Sequence, residues 1–249
     1  MAERPLNLHR CLAADGDLWV FAYGSLMWRP GFAFAEVARA RVTGFSRRFC
    51  VASVHHRGSP ARPGLVLGLD SGGVCEGIVY RVPAERAAAT VAYLREREQV
   101  NGVYREVRVP VEIEGDRART VDAIAYLVER SHPSYVARLP LRSQAGLIVG
   151  ARGISGVNLD YLVNTMRQIA ALGIRERELE RLLVVIGGLF SRPCAAAARS
   201  PATAAGPASA RAEALRRAHQ CRLPVVRCIK RMRPGDRRRF GYRKNFAVV

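Results

Sequence analysis

The chain has 249 residues, of which 49% are hydrophobic and 24% are charged, the balance of a folded globular protein rather than of a disordered or fibrous chain. Its 40 Lys and Arg against 21 Asp and Glu give a formal net charge of +19, so nucleic acid and acidic membrane surfaces are the first partners to consider. The longest apolar stretch, residues 182–190, is far shorter than the roughly 20 residues of a membrane-spanning helix. We therefore expect no membrane span.

The positive charge is concentrated at the carboxyl end. Residues 191–249 contain 15 Lys and Arg but only two acids, a net charge of +13, which leaves +6 for the first 190 residues. From residue 193 onwards the chain is dominated by Ala, Ser, Pro and Arg, which can bury little. We predict an extension at 1–17, one folded domain at 18–192 and an unstructured tail at 193–249.

The amino-terminal segment and the cysteines indicate a cytoplasmic protein. Residues 1–17 contain acidic side chains and no apolar core, so they do not have the pattern of a secretory signal. The six cysteines show neither CxxC spacing nor the density of a disulfide scaffold, and we interpret them as reduced thiols. The five histidines form no HxxxH or HExxH pair, so we expect no metal site.

The first half of the chain is patterned mainly as β-strands. The predicted strands, separated by Gly, Pro and Ser clusters, lie at residues 18–23, 42–53, 64–69, 75–82, 104–113 and 120–128. An apolar stripe behind Pro83 predicts one helix among them, over about 84–97. Such a series is typical of an antiparallel sheet or barrel.

The second half of the domain has a helical pattern. Helices are predicted over about 141–151, 158–171 and 176–190, with Ser155 or Asn158 available as a cap. Because strands come first and helices last, the pattern favours an α+β fold over a doubly wound sheet.

The segment VFAYGSLMW, residues 20–28, is the best candidate for a functional loop. A strand that ends in Tyr23-Gly24-Ser25 leaves backbone N–H groups without ladder partners, and such groups can hold an anion or a developing oxyanion. The tripeptide alone is more often an ordinary turn in which Gly24 supplies an unusual backbone conformation. The longer pattern around it favours the functional interpretation.

Five motifs together resemble the ChaC-type γ-glutamylcyclotransferases, enzymes that cleave glutathione. In chain order they are VFAYGSLMWRPGF, GFSRRF, SVHHRGSPARPG, YLREREQ followed by YR, and GISGVNLDYL. The resemblance runs from about residue 19 to 189, and the combination is more specific than any one motif. It implies a mixed β-barrel or sheet with flanking helices and a helical carboxyl-terminal part. It also implies glutathione as the small-molecule substrate, 5-oxoproline and Cys-Gly as the products, and no cofactor.

The same resemblance implies the site residues. In that family the YGSL loop binds the γ-glutamyl group, and the glutamate of an Arg-Glu-Lys segment accepts the proton, which here is Glu98. Tyr104 is a candidate donor to the substrate carboxylate, and Ser53 and Arg57 are candidates for the outer carboxylates of glutathione. The full set of implied substrate-binding residues is Val20, Phe21, Ala22, Tyr23, Gly24, Ser25, Leu26, Ser53, Arg57 and Tyr104.

The residues alone make a weaker case for Glu98. A glutamate in an Arg-Glu-Arg-Glu run at a helix end is ordinarily a solvated surface charge. The reaction, however, needs only one carboxylate of raised pKa, which can take a proton from the α-ammonium and return it to the leaving amide nitrogen.

Departures from the family pattern leave alternatives open. Gln99 stands where the family has lysine, and the connection from Val100 to Tyr104 is two residues longer than its Gly-Gly-Tyr. The alternatives are cyclisation of another γ-glutamyl amine or dipeptide, or a scaffold that binds such a ligand without turnover. A nucleic-acid-binding role of the basic tail is a further alternative, which we favour less than a tail without a partner.

Overall fold

The computed structural model describes residues 7, 11–13, 16–115 and 119–191. The strands of its main sheet are β1 (Leu18–Ala22), β2 (Glu36–Ser53), β3 (Gly64–Val82), β4 (Tyr104–Ile113) and β5 (Arg119–Val128). The helices are α1 (Ala84–Glu98), α2 (Leu141–Gly150), α3 (Asn158–Ala171) and α4 (Arg177–Ser191). A two-stranded hairpin, β6 (Arg152–Gly153) and β7 (Gly156–Val157), precedes α3. The predicted α+β class is confirmed.

The five long strands close into a barrel in the order β1-β3-β2-β4-β5. Neighbours in this order are antiparallel, and β5 closes the barrel through parallel contacts with β1 and β3, where Val20 lies opposite Ile124 and Leu69 opposite Leu127. The short strand β1 therefore lies between β3 and β5. Its carboxyl end delivers the YGSL loop to one end of the barrel.

Strand β3 corrects the prediction of separate strands at 64–69 and 75–82. It is one strand of 19 residues, paired along its length with β2, which itself begins at Glu36 rather than at residue 42. Gly72 and Gly73 have φ values of +94° and +90°, and the register with β2 shifts between Thr43 and Phe45. The glycines therefore form a bulge inside a continuous ladder, where the sequence pattern indicated a turn.

The start of α3 corrects the prediction of a side-chain cap. Val157 occupies the cap position, and no side chain accepts a cap hydrogen bond there. The fully buried Asn158 instead binds the backbone of Leu65, because its Oδ1 accepts from the N–H at 2.7 Å and its Nδ2 donates to the C=O at 2.8 Å. This amide fastens α3 to β3 and satisfies buried polar groups on both elements.

A single large cluster of buried apolar side chains joins the barrel to the helices. It includes Phe21 and Ile124 from the strands and Leu162, Ile169 and Leu182 from α3 and α4. In the described part of the chain, no helix has both the length and the apolar character that a bilayer span requires. The predicted tail at 193–249, with its nucleic-acid alternative, lies outside the described residues.

Candidate active site

A pocket opens at the carboxyl end of β1. The YGSL loop forms one wall, and side chains and backbone from β3, α1, β4, β5 and α3 form the rest. The space between these walls has an empty volume of about 340 Å³, which includes the part that is open to solvent. The lining residues are Tyr23, Gly24, Ser25, Leu26, Leu67, Glu98, Tyr104, Tyr126 and Tyr161.

The YGSL loop offers backbone donors to this pocket. A single 3₁₀ turn spans Ser25–Met27, and the Ser25 carbonyl accepts from the N–H groups of Trp28 and Arg29. The first N–H groups of any helical turn lack internal partners. Within the part of the chain that the structure describes, no carbonyl accepts from the N–H groups of Gly24, Ser25 or Leu26. Three donors are therefore available where the sequence predicted an anion-binding loop.

Glu98 ends α1 at the pocket, and its side chain is only 17% exposed. Burial raises the pKa of its carboxyl above the ordinary value, although the charge of Arg97 and a hydrogen bond from it act in the opposite direction. Glu98 therefore has a largely buried carboxylate with an increased affinity for a proton. It is not the solvated surface charge that its local sequence predicted.

Arg97 connects the carboxylate to the YGSL loop. Its Nε lies 3.1 Å from Glu98 Oε1, and its Nη2 donates to Ser25 Oγ at 3.1 Å. Its Nη1 donates to the carbonyl of Arg29 and to the hydroxyl of Tyr93. One guanidinium thus fixes the distance between the proton acceptor and the backbone donors.

Two tyrosine hydroxyls in the pocket wall have a defined polarity. Tyr23 donates to the backbone carbonyl of Tyr126 at 2.8 Å, and Tyr104 donates to the carbonyl of Leu67 at 2.6 Å. A carbonyl can only accept, so each hydroxyl has committed its single proton and can only accept from a ligand. Burial, followed by nearby acidic groups that include Glu98, raises the pKa of both tyrosines, which keeps them protonated. In this arrangement the Tyr104 proton is used within the protein, and a contact of this hydroxyl with a substrate carboxylate, the role considered for it from the sequence, stays a prediction.

Several residues implied by the resemblance do not line the pocket. Val20, Phe21 and Ala22 are fully buried in the barrel core, where their backbone pairs with β3. Ser53 Oγ accepts from the backbone N–H of Arg57 at 3.0 Å and so closes a turn. The Arg57 guanidinium lies 5.3 Å from the ring centre of Tyr161 and donates to the carbonyl of Val157. Arg57 therefore contacts a residue of the pocket wall without lining the pocket itself. A substrate contact of Ser53 or Arg57 stays a prediction.

The longer connection after Glu98 is held away from the pocket. Asn101 Oδ1 accepts from the N–H of Val103, and Nε2 of His132 lies 2.8 Å from the Asn101 carbonyl. Val103 is buried, and its carbonyl accepts from Glu129. The two additional residues form an exposed turn, and β4 returns the chain to the pocket at Tyr104.

Three residues that line the pocket, and one that lies behind it, could not be predicted from the sequence. Tyr161 lines the pocket and lies within the motif GISGVNLDYL. The buried Arg47 lies behind the YGSL loop and within the motif GFSRRF. A motif does not say what each of its side chains contacts. Tyr126 and Leu67 lie in strands with no local signal of function. Among the described residues, no group of three or more His, Cys, Asp or Glu side chains is arranged to hold a metal ion.

The chain is similar to known proteins over most of its domain. The family model of the ChaC-like protein matches residues 18–188. A glutathione-specific γ-glutamylcyclotransferase of Escherichia coli K12 is 33% identical over 181 residues, which cover 73% of this chain and 78% of that protein. The human glutathione-specific γ-glutamylcyclotransferase 1 is 34% identical over 187 residues, or 72% of this chain and 83% of that one.

A solved structure agrees with these relatives. The yeast γ-glutamylcyclotransferase specific to glutathione superposes with a TM-score of 0.64 at 25% identity, covering 69% of this chain and 96% of the yeast chain. The matched region contains the barrel, the YGSL loop and Glu98. The chain therefore belongs to the ChaC-like family.

Proposed function

We propose that this protein is a γ-glutamylcyclotransferase that cleaves glutathione to 5-oxoproline and Cys-Gly. The observation that carries the proposal is the half-buried carboxylate of Glu98 beside the unpaired N–H groups of Gly24, Ser25 and Leu26 in one pocket. Intramolecular acyl transfer needs this pair of features, a proton acceptor and donors for an oxyanion. The names of the bacterial and human relatives support glutathione as the substrate.

The reaction requires no second substrate. Glu98 accepts a proton from the α-ammonium, and the freed amine nitrogen attacks the γ-carbonyl carbon of the same glutamyl residue. The new N–C bond closes a five-membered ring while the carbonyl electrons move to oxygen, where loop N–H groups stabilise the negative charge. When the oxyanion collapses, the bond to the cysteine nitrogen breaks, and Glu98 returns the proton to that nitrogen. The ring nitrogen gives up its second proton to the released amine, so the lactam nitrogen of 5-oxoproline is neutral and the amine of Cys-Gly is protonated. Holding the glutamyl chain folded for this attack contributes about 7–11 kcal/mol in favourable cases.

The polarity of the pocket supports one orientation of the substrate. Glu98 and the accepting hydroxyls of Tyr23 and Tyr104 form a wall of acceptors, which suits the α-ammonium. The loop N–H groups form a wall of donors, which suits the carbonyl oxygen and the α-carboxylate. The net charge of +6 on the first 190 residues suits a substrate that is anionic overall.

Glu98→Gln tests the proposal. We expect the release of 5-oxoproline from glutathione to fall by about 10²–10⁴-fold, because the amide cannot accept the proton.

The same variant should change how stability depends on pH. Because folding raises the pKa of Glu98 above its ordinary 4.5, the contribution of Glu98 to stability is greatest at low pH and is lost as the pH rises through the raised value. The unfolding free energy of the variant should therefore increase relative to wild type over that range, measured in urea.

The substrate range and the control need the same assay. Turnover of γ-glutamyl-amino acids beside glutathione separates the proposed activity from cyclisation of another γ-glutamyl compound. Tyr135→Phe is a matched control, because the Tyr135 hydroxyl donates to Asp70 at another cavity. Full activity of Glu98→Gln would contradict the mechanism, and binding of glutathione without turnover would indicate a scaffold. The cytoplasmic location stays a prediction from the sequence.

A further inference from the structure

A fully buried arginine lies behind the YGSL loop. Arg47 in β2 does not line the pocket, and its side chain has no exposed surface. Its Nε donates to the carbonyl of Tyr23 at 2.5 Å, and its Nη2 donates to the carbonyl of Glu76 at 2.5 Å. Its Nη1 pairs with Glu176, directly before α4. Moving a guanidinium from water into the protein interior has a large free-energy cost. Packing alone therefore does not explain why an arginine is buried here.

The contact with Tyr23 determines the direction of a donor. The carbonyl of Tyr23 and the N–H of Gly24 belong to one peptide group, and in a planar trans peptide the two point in opposite directions. Arg47 holds the carbonyl on its own side, outside the pocket. The N–H of Gly24 is therefore directed away from Arg47, and Gly24 is a residue of the pocket wall.

The same contact also strengthens this donor. A cation that is hydrogen-bonded to a carbonyl polarises the whole peptide group, so its N–H becomes a better donor. The effect is largest where water does not screen the charge, and the Arg47 side chain is fully buried. Preoriented N–H donors of this kind are what oxyanion stabilisation requires.

We propose that Arg47 is a positioning residue for catalysis, which aims the Gly24 N–H at the oxygen that becomes negative when the substrate amine attacks the γ-carbonyl. The inference rests on the proposed function and adds to it the residue that orients the oxyanion donor. Arg47 itself touches neither the substrate nor the reacting atoms. Its effect passes through the Tyr23–Gly24 peptide group.

Arg47→Met is the direct test. We expect kcat for glutathione to fall by about 10²-fold or more, the effect of losing an oxyanion donor. KM should change by less than about threefold, because the donor acts mainly in the transition state. Arg130→Met is the matched control, since it removes an arginine from the buried carboxylate of Asp70 at a different cavity and should leave kcat unchanged.

A second variant separates the carbonyl contact from the ion pair. Glu176→Gln removes the charge opposite Arg47 but leaves the bond from Arg47 to Tyr23 in place, so kcat should stay within about threefold of wild type. The proposal is overturned if folded Arg47→Met keeps its kcat, or if Glu176→Gln loses as much kcat as Arg47→Met. If Arg47→Met does not fold, Arg47→Lys takes its place, because lysine keeps the charge but not the paired geometry.

A readout without turnover distinguishes failure of the inference from failure of the proposed function. If wild type releases no 5-oxoproline from any γ-glutamyl compound, the proposed function is wrong. The amide resonance of Gly24 in ¹⁵N NMR spectra still reports on Arg47. Arg47→Met should shift this resonance and Arg130→Met should not. An unchanged Gly24 resonance in Arg47→Met would overturn the inference whatever the activity.

Discussion

Two arginine–glutamate pairs stand behind the pocket, and they are buried in opposite ways. In the pair Arg47–Glu176 the arginine side chain is 0% exposed and the glutamate 21%. In the pair Arg95–Glu106 the glutamate is 0% exposed and the arginine 28%. Each buried member also binds a group of the pocket wall, since Arg47 donates to the Tyr23 carbonyl and Glu106 accepts from the Tyr126 hydroxyl.

The difference shows that the buried member of each pair depends on its more exposed partner to a different degree. Arg47 has two backbone carbonyls as further acceptors, so much of its hydrogen-bonding capacity is satisfied without Glu176. Glu106 receives two hydrogen bonds from Arg95, at 3.0 and 2.7 Å, and one from Tyr126 at 3.0 Å. A buried carboxylate that loses its cation is left with an uncompensated charge, so the second pair should be the more sensitive one.

The largest effect is expected from Arg95→Met. This variant leaves the fully buried Glu106 without its cation, and it should lower the free energy of unfolding at neutral pH by about 3–5 kcal/mol. Urea unfolding measures the change. Arg41→Met, which breaks the exposed pair with Glu112, is the control and should change stability by less than about 1 kcal/mol. If the two variants changed the free energy of unfolding equally, burial of the Glu106 carboxylate would not explain the importance of its ion pair.

A much smaller effect is expected from Glu176→Gln. Burial raises the pKa of Glu176 although Arg47 acts against it, so desolvation of the carboxylate outweighs the gain from the pair. The neutral amide avoids that desolvation while Arg47 keeps its two carbonyl acceptors. We expect the free energy of unfolding at neutral pH to change by no more than about 1 kcal/mol. A loss as large as that of Arg95→Met would show that the two pairs are equivalent.

The smallest effect is the pH dependence of that same variant. The folded-state pKa of Glu176 lies above its ordinary 4.5, so the folded state binds more protons than the unfolded state between the two values. Stability from this group is fully present at low pH and is lost as the pH rises through the raised value. In urea titrations at a series of pH values, wild type should become less stable relative to Glu176→Gln as the pH rises. The opposite slope would mean that Arg47 lowers the pKa of Glu176.

Part of the fold could be predicted because its signals are local. The helix at 158–171 and the strand at 104–113 have the bounds predicted from periodicity, since each pattern lies within one element. The predictions failed where a distant contact decided the outcome. Asn158 has the chemistry of a helix cap, but Leu65 on β3 takes both its hydrogen bonds. The two glycines of β3 indicated a turn, but pairing with β2 made them a bulge.

The candidate site was also predicted only in part. The motifs were sufficient to identify the YGSL loop and Glu98, and the structure brings both to one pocket. The polarity of the tyrosine hydroxyls and the contacts of Arg47 had no signal in the sequence. Each depends on the partner that folding places within hydrogen-bond distance, a backbone carbonyl from a distant part of the chain.

The sequence by itself determined the class of fold, the order of the elements and the family, and it indicated the YGSL loop and Glu98 as the candidate site. These follow from periodicity, turn residues and a linear series of motifs. Only the tertiary structure decided that Glu98 is shielded rather than solvated, that the Tyr104 hydroxyl donates its proton to the Leu67 carbonyl, and that Arg47 faces the back of the loop. The physical reason is that burial and hydrogen-bond polarity belong to pairs of residues far apart in the chain, which meet only when β5 closes the barrel against β1 and β3.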